Sequence, residues 1–343
     1  MNDCPPVQYV RTPDGASIAY WTLGSGPKTL AIHPLSFSHL TREQGHPRLR
    51  ELYDLLASDL ELLRYDPRAA GLSGPAQDFS AEAFLCDIES VLARTGGGPV
   101  ALLAFVGAAP LAARFAAAHP ADVSSLVLLC PEIDEQRRRV IMRALRSGTP
   151  EHAMQRFNRL LNPDGTGTLG ELIGGIRRAN ERNWERLVGK DGATQMMSCP
   201  EELLSKVSCP TLVVHYPEHA FSDGPNIAGR MANARLLVRD GANAPLWDPD
   251  FPGLMSAVRA FIHDHVETPV DPATDACPPP TCLSPREREV VCLVSAGLPN
   301  PEIAQRLCIS RSTVARHVSS ALGKTGLINR TELAVYASRH RLA

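Results

Sequence analysis

VALLAFVGAAPLAARFAAAHPADVSSLVLL, residues 100–129, carries the reading of the fold. An apolar run without polar alternation, Val100–Ala104, precedes a helical pattern at Ala108–Ala118, and a second apolar run follows at Val123–Leu129. Strands of that kind are covered on both faces, and the helices between them are the crossovers of a parallel sheet. The alternation extends outward. Upstream, Val7–Thr12 and Ala16–Thr22 flank the turn Pro13-Asp14-Gly15 as a hairpin. Thr29–His33 and Leu60–Tyr65 then read as strands, Arg48–Ser58 and Ala81–Arg94 as helices. Downstream, Pro210–His215 and Ala234–Val238 read as strands and Pro249–His265 as a helix. The body is therefore expected to be α/β, a mostly parallel sheet with helices on both faces.

Length and composition bound the rest. A chain of 343 residues with 44% hydrophobic content supports two domains with a sizeable core. Its stretches fall short of the ~20 apolar residues that span a bilayer. The opening MNDCPPVQYVRTPDG lacks the charged-then-apolar design of a secretory leader. Nine cysteines, odd in number and without a C-x-x-C pair, suit a reducing cytoplasm better than a disulfide framework. Five prolines in Val266–Cys282 interrupt regular structure and form a semi-rigid spacer. The expected division is a body at 1–265, a linker at 266–282 and an all-α tail at 283–343.

The tail shows successive helical patterns broken at Gly297-Leu298-Pro299-Asn300, at Ile309-Ser310 and at Gly326-Leu327-Ile328-Asn329. Pro301–Leu307 and Arg311–Lys324 are joined by Cys308-Ile309-Ser310, the spacing of a helix-turn-helix whose second helix enters a DNA major groove. Val314, Val318 and Leu322 form a stripe expected to pack on Ile303, Ala304 and Leu307. Ser310 stands at the N-cap position, and the free amides of that helix start suit a phosphate oxygen. Residues 283–343 hold nine Arg/Lys against four Asp/Glu, a balance of +5 that leaves −7 for residues 1–282 in a chain of net −2. An acidic body with a basic tail is the asymmetry of a nucleic-acid module.

Along its whole length the tail resembles the LuxR-type helix-turn-helix domain. The resemblance implies that Ala315, Arg316 and Ser319 look toward base edges, while Thr313, His317 and Lys324 position the helix on the backbone. Ser310 and Ser312, at the helix start, complete the DNA-binding set. Arg316 is the long donor among the groove-facing positions, so a guanine contact worth ~1–3 kcal/mol of discrimination is expected there. Such domains act as homodimers on palindromic operators, and the pattern at Thr331–His340, with Leu333, Val335 and Tyr336, offers a contact between tails.

Residues 7–265 resemble the α/β-hydrolase fold with a helical cap. RYDPRAAGLS (64–73) resembles the loop after the fourth strand, and residues 100–129 the strand, nucleophile elbow and following helix. CPTLVVH (209–215) resembles the strand before the catalytic acid, and DGANAPLWDPDF (240–251) the histidine loop and final helix. Where the family elbow reads G-x-S-x-G, Ala104-Phe105-Val106-Gly107-Ala108 places valine at the nucleophile. The acid position falls on His219, or on Glu218 with a one-residue slip, and the histidine position on Asn243; no slip supplies the serine or the histidine. Triad chemistry requires an attacking oxygen, a base and an orienting acid, so no catalytic residues of that type are assigned. Valine suits a left-handed backbone poorly, so a relaxed turn is expected. No metal-ligand spacing or nucleotide loop is visible, and neither metal nor cofactor is expected.

A body that keeps the fold without the chemistry is expected to keep the pocket. Its lining would be His33, Pro34, Leu35, Phe37, Phe105, Val106, Cys130, His219 and Asn243. The cap would occupy 131–200, with helices at Arg137–Leu145, Glu151–Leu161 and Leu169–Val188. A ligand-responsive regulator with a small-molecule effector follows. Against it stand a closed cavity in which Phe37, Phe105 and Val106 are core, and a body that only dimerises. An enzyme using His33, His219 or Cys130 remains open, as does a redox sensor using Cys199, Cys209, Cys277 or Cys282.

Overall fold

The computed structural model describes residues 4–132, 169–184, 187, 201–219, 222–240, 245–266, 283–295, 298, 300–307, 309–325, 333 and 337. The chain divides into two compact units, Met1–Pro269 and Val270–Ala343.

Eight strands build the sheet of the first unit: β1 Gln8–Arg11, β2 Ser17–Leu23, β3 Lys28–Ile32, β4 Glu61–Tyr65, β5 Val100–Phe105, β6 Val123–Leu129, β7 Thr211–His215 and β8 Ala234–Val238. Their spatial order is β1-β2-β4-β3-β5-β6-β7-β8. β1 pairs antiparallel with β2, and β2 antiparallel with β4. Every other pairing is parallel.

The reason for the unbroken apolar runs is visible in β5. Leu102 and Ala104 face one core with Ile88, Val91, Ala112 and Phe115, from α3 (Ala81–Arg94) and α4 (Ala109–Ala118). Ala101, Leu103 and Phe105 face the other core with Leu52, Leu56, Leu254, Val258 and Ile262. That second cover comes from α2 (Pro47–Leu56) and α8 (Phe251–Val266). The remaining described helices of this unit are the short α1 (Leu40–Gln44), α6 (Glu201–Leu204) and α7 (Gly224–Ala228), and α5 (Leu169–Ala179). A strand with both faces buried has no polar side to alternate with. At the start of α3, the Ser80 hydroxyl accepts the Ala83 amide at 3.2 Å, the N-cap that sets this boundary.

The expected cap helices Arg137–Leu145 and Glu151–Leu161 lie outside the described residues, as does Asn243. The helix expected at Leu169–Val188 is α5, interrupted by a 3-10 turn at Glu181–Asn183, with Trp184 and Leu187 again helical. Asn180 breaks it: its side chain leaves the helix to accept the Gly71 amide at 2.8 Å.

The second unit contains α9 (Pro285–Ser295), α10 (Asn300–Arg306) and α11 (Arg311–Thr325). Val314 buries against Ile303 and Ala304, as the stripe requires, together with Val290 and Val294 of α9. Leu322 departs from the expected stripe. It packs with Leu283, Val291, Leu333 and Ala337 instead, and Val318 touches both clusters. Eight residues of helix rotate Leu322 away from Val314, because 3.6 residues per turn do not hold a strict four-residue line. Leu333 is 0% exposed within this core, so it is not a free contact for a second tail; Val335 and Tyr336 lie outside the described residues.

Candidate functional site

At the end of β5 the chain turns through a 3-10 step, Val106–Ala108, directly into α4. Val106 has φ 45. The relaxed turn expected for valine is not what forms: the sharp strand-to-helix reversal, walled by the buried Gly107 and Ala108, imposes the left-handed backbone. Such a residue stores ~1–3 kcal/mol of strain. The parallel register ends at Phe105↔Leu129; the next residue on the second strand, Cys130, is left-handed too, with φ 51.

Cys130 is the only one of these two with a nucleophilic atom. Its Sγ lies 3.2 Å from Nδ1 of His219, which the turn after β7 holds through its amide on the Tyr216 carbonyl, 3.0 Å away. Both groups are buried. Burial pushes the thiol up to about 12, with the Ser222 hydroxyl in partial opposition. Burial pushes His219 down to about 4. The pair is therefore a neutral thiol against a neutral imidazole at pH 7. Ser222 also bridges this turn to β7, its Oγ lying 2.7 Å from Nδ1 of His215 and accepting the Tyr216 amide at 3.2 Å.

His33 follows β3, its ring 4.8 Å from Phe105. It belongs to a buried polar group that the sequence reading did not find. The Tyr53 hydroxyl lies 3.3 Å from His33 Nε2 and donates to Glu43 Oε2 at 2.6 Å. Glu43 Oε1 accepts Arg64 Nη2 at 2.7 Å and the His39 amide at 2.9 Å. Arg64 also donates to Ser38 Oγ at 2.9 Å, and Ser38 donates to Asp66 Oδ1 at 2.7 Å. Burial first, and the Arg64 cation second, push His33 down to about 3, with Glu43 opposing. Burial, aided by Glu43, pushes Asp66 up to about 6 against the pull of Arg64. One signal was visible: an arginine inside the apolar strand Glu61–Tyr65 requires a buried partner.

The remaining predicted lining residues divide. Leu35 is core beneath α3 and α4, whereas Phe105 and Cys130 belong to the core beneath α2 and α8. Pro34 is half-buried and accepts the Phe37 amide at 2.8 Å. Phe37 meets Trp184 edge-on at 5.8 Å. Around them α5 and its following turn are latched to the loop after β4. Asn180 holds the Gly71 amide, and Asn183 Nδ2 donates to the Ala69 carbonyl at 2.9 Å. Ala69 and Gly71 are both left-handed, and any Cβ on Gly71 would come within 2.0 Å of the Asp66 carboxylate.

In the second unit the Ser310 hydroxyl accepts the Thr313 amide at 3.1 Å, the expected N-cap. Arg316 is exposed on α11, with Thr313 and His317 half-buried. Ser312, Ala315 and Ser319 occupy their helical positions, and their side chains lie outside the described residues. Lys324, expected at the DNA backbone, stands on α11 with its side chain exposed. Its ammonium donates to both carboxylate oxygens of Glu287, at 2.9 and 2.7 Å.

An eight-stranded sheet in this order, with a left-handed elbow between β5 and α4, defines an α/β-hydrolase-fold unit. It is followed by a unit carrying a helix-turn-helix. The solved structures agree for the first. The esterase RhEst1 from Rhodococcus sp. ECU1013 superposes with TM-score 0.58 at 21% identity, covering 76% of this chain and 99% of that one. The meta-cleavage product hydrolase CumD of Pseudomonas fluorescens IP01 gives 0.63 at 14%, covering 75% and 97%. At these identities the likeness is one of fold.

Residues 281–337 match the family described as bacterial regulatory proteins, luxR family, and form a LuxR-family domain. The nitrate/nitrite response regulator protein NarL of Escherichia coli K12 is 47% identical over 60 residues, 18% of this chain and 28% of that protein. The transcriptional regulatory protein LiaR of Bacillus subtilis is 41% identical over 64 residues, 19% and 30%. The match thus spans less than a third of these relatives' length. Among the described residues no helix is long and apolar enough to cross a membrane.

Proposed function

We propose that this chain is a DNA-binding transcriptional regulator whose hydrolase-fold unit binds a small molecule without hydrolysing it. One observation carries the reading: the elbow keeps its left-handed backbone but presents the hydrocarbon of Val106, in a chain that also holds a LuxR-family domain. The polar groups near the elbow support an uncharged or weakly polar effector, since His33, His219 and Cys130 are all neutral at pH 7. An effector that binds one arrangement of the chain more tightly shifts the population competent for DNA. The DNA site is a palindromic operator read by a homodimer. The test is native mass spectrometry of the purified chain, combined with duplex binding with and without extracted small molecules. Bound mass that alters duplex affinity supports the reading. Steady turnover of a p-nitrophenyl ester by the intact chain defeats the non-hydrolytic half, and no binding to any duplex at low salt defeats the regulatory half.

The 3.2 Å contact of Cys130 with His219 motivates a second reading, thiol chemistry at that pair, which the burial that keeps both groups neutral opposes. It would appear as a stable adduct or a turnover that Cys130→Ser abolishes; an unmodified thiol after exposure to electrophiles and peroxide removes it.

A further inference from the structure

Glu287 lies near the start of α9, yet most of its partners are on α11. Its own helix fixes the side chain first. Oε2 accepts the Ser284 amide at 2.7 Å, and the Glu287 amide donates to Ser284 Oγ at 3.3 Å, a reciprocal capping box. From α11, the Ser320 hydroxyl donates to Oε1 at 2.7 Å, and the Lys324 ammonium to both oxygens. Ser320 and Lys324 stand four residues apart, so they present to the carboxylate from consecutive turns of one side of α11. Arg316 stands one turn earlier on that same flank.

Resting on the DNA-binding reading above, we infer that Glu287 is the positioning residue of the recognition helix, and that Lys324 serves as its counter-ion rather than as a phosphate ligand. The apolar contacts of Val318, Ala321 and Leu322 set how far α11 stands from its neighbours. Apolar packing tolerates rotation about a helix axis, because it is not directional. The carboxylate with its three α11 bonds is directional, and it fixes which way Arg316 points. Glu287 is 4% exposed and Lys324 43% exposed. Removing the ammonium therefore leaves a buried charge without its partner. A lysine already neutralised by a carboxylate releases no counter-ion when DNA binds, so it adds nothing to the salt dependence.

The experiment uses the full chain with two duplexes, one of mixed sequence and one selected by the wild-type chain from a randomised pool. Fluorescence anisotropy is read across a salt series for Lys324→Met, Glu287→Gln and the double variant. Each single variant is expected to lower the preference for the selected duplex by roughly ten-fold, the scale of losing a charge-assisted hydrogen bond. The double variant loses no more than the worse single one, and Lys324→Met keeps the wild-type salt slope. A slope flattened by about 0.9 with the preference intact identifies Lys324 as a phosphate ligand and overturns the proposal. So does an unchanged preference in Glu287→Gln. Thermal unfolding is followed in parallel. If both charge variants unfold the tail, Ser320→Ala takes their place, and retention of the full preference there also overturns the proposal. A wild-type chain that binds neither duplex removes the DNA-binding reading itself, an outcome distinct from any change in slope.

Discussion

Val106 and Cys130 each follow the last paired residue, Phe105 and Leu129, of two adjacent parallel strands, and both turn through left-handed backbone, with φ 45 and 51. Neither is glycine. Only the second places a heteroatom there, and it is engaged with His219.

Glycine at the elbow releases strain that valine stores. Val106→Gly forgoes the contacts of a half-buried side chain but removes ~1–3 kcal/mol of backbone cost. Stability is expected to stay level or rise by up to about 1 kcal/mol, measured as the urea midpoint of the first unit. Ala104→Gly, in the buried strand two residues earlier, is expected to destabilise by roughly 0.5–1 kcal/mol. A larger loss at 106 than at 104 would show that the elbow is unstrained.

The first unit loses stability as acid protonates the unfolded chain ahead of the folded one. His219 falls from 6.5 to about 4 on folding. A depressed value contributes stability that is complete above pH 6.5 and lost as pH falls toward 4. His33 acts in the same sense, toward about 3. Asp66 and Asp87, each raised to about 6, act in the opposite sense, since their protonated forms favour the fold below that pH. The histidine contribution is therefore read by difference. His219→Gln is expected to flatten the decline between pH 6.5 and 4 by on the order of 2 kcal/mol. Parallel stability curves for wild type and variant count against it.

Asn180 latches α5 to the loop after β4. Asn180→Ala leaves the Gly71 amide without that acceptor and is expected to cost about 1–3 kcal/mol. Hydrogen exchange at Gly71 and along Leu169–Ala179 should accelerate together. Exchange that stays at the wild-type rate at Gly71 would falsify the latch.

Arg316→Ala should weaken binding to the selected duplex by ~1–3 kcal/mol while leaving the mixed duplex nearly unaffected. Equal losses on both duplexes would assign Arg316 to the phosphate backbone.

The strand and helix framework was legible because its signals are local. Ala81–Arg94, Val123–Leu129 and Ala234–Val238 form as their patterns require. Each is bounded by a cap, a proline or a charge that acts within a few residues. His33, Cys130 and His219 were legible as strand-end residues for the same reason. Glu43, Tyr53, Arg64 and Asp66 were not, since their bonds join helices and strands separated by loops, and a glutamate in Leu40–Gln44 looks solvated until Arg64 is beneath it. Val106 shows local preference overruled by the turn that the packed sheet and α4 demand. The ion pair of Lys324 with Glu287 was not legible either, since it joins α11 to the start of α9 across 37 residues.

The buried Leu283 and the Ser284–Glu287 box have a practical consequence for anyone isolating the carboxyl-terminal module. A fragment cut to begin at Pro285 would discard both a plug of its hydrophobic interior and the stop that prevents α9 from fraying. Truncation for crystallography or spectroscopy belongs upstream, inside the proline-rich connector.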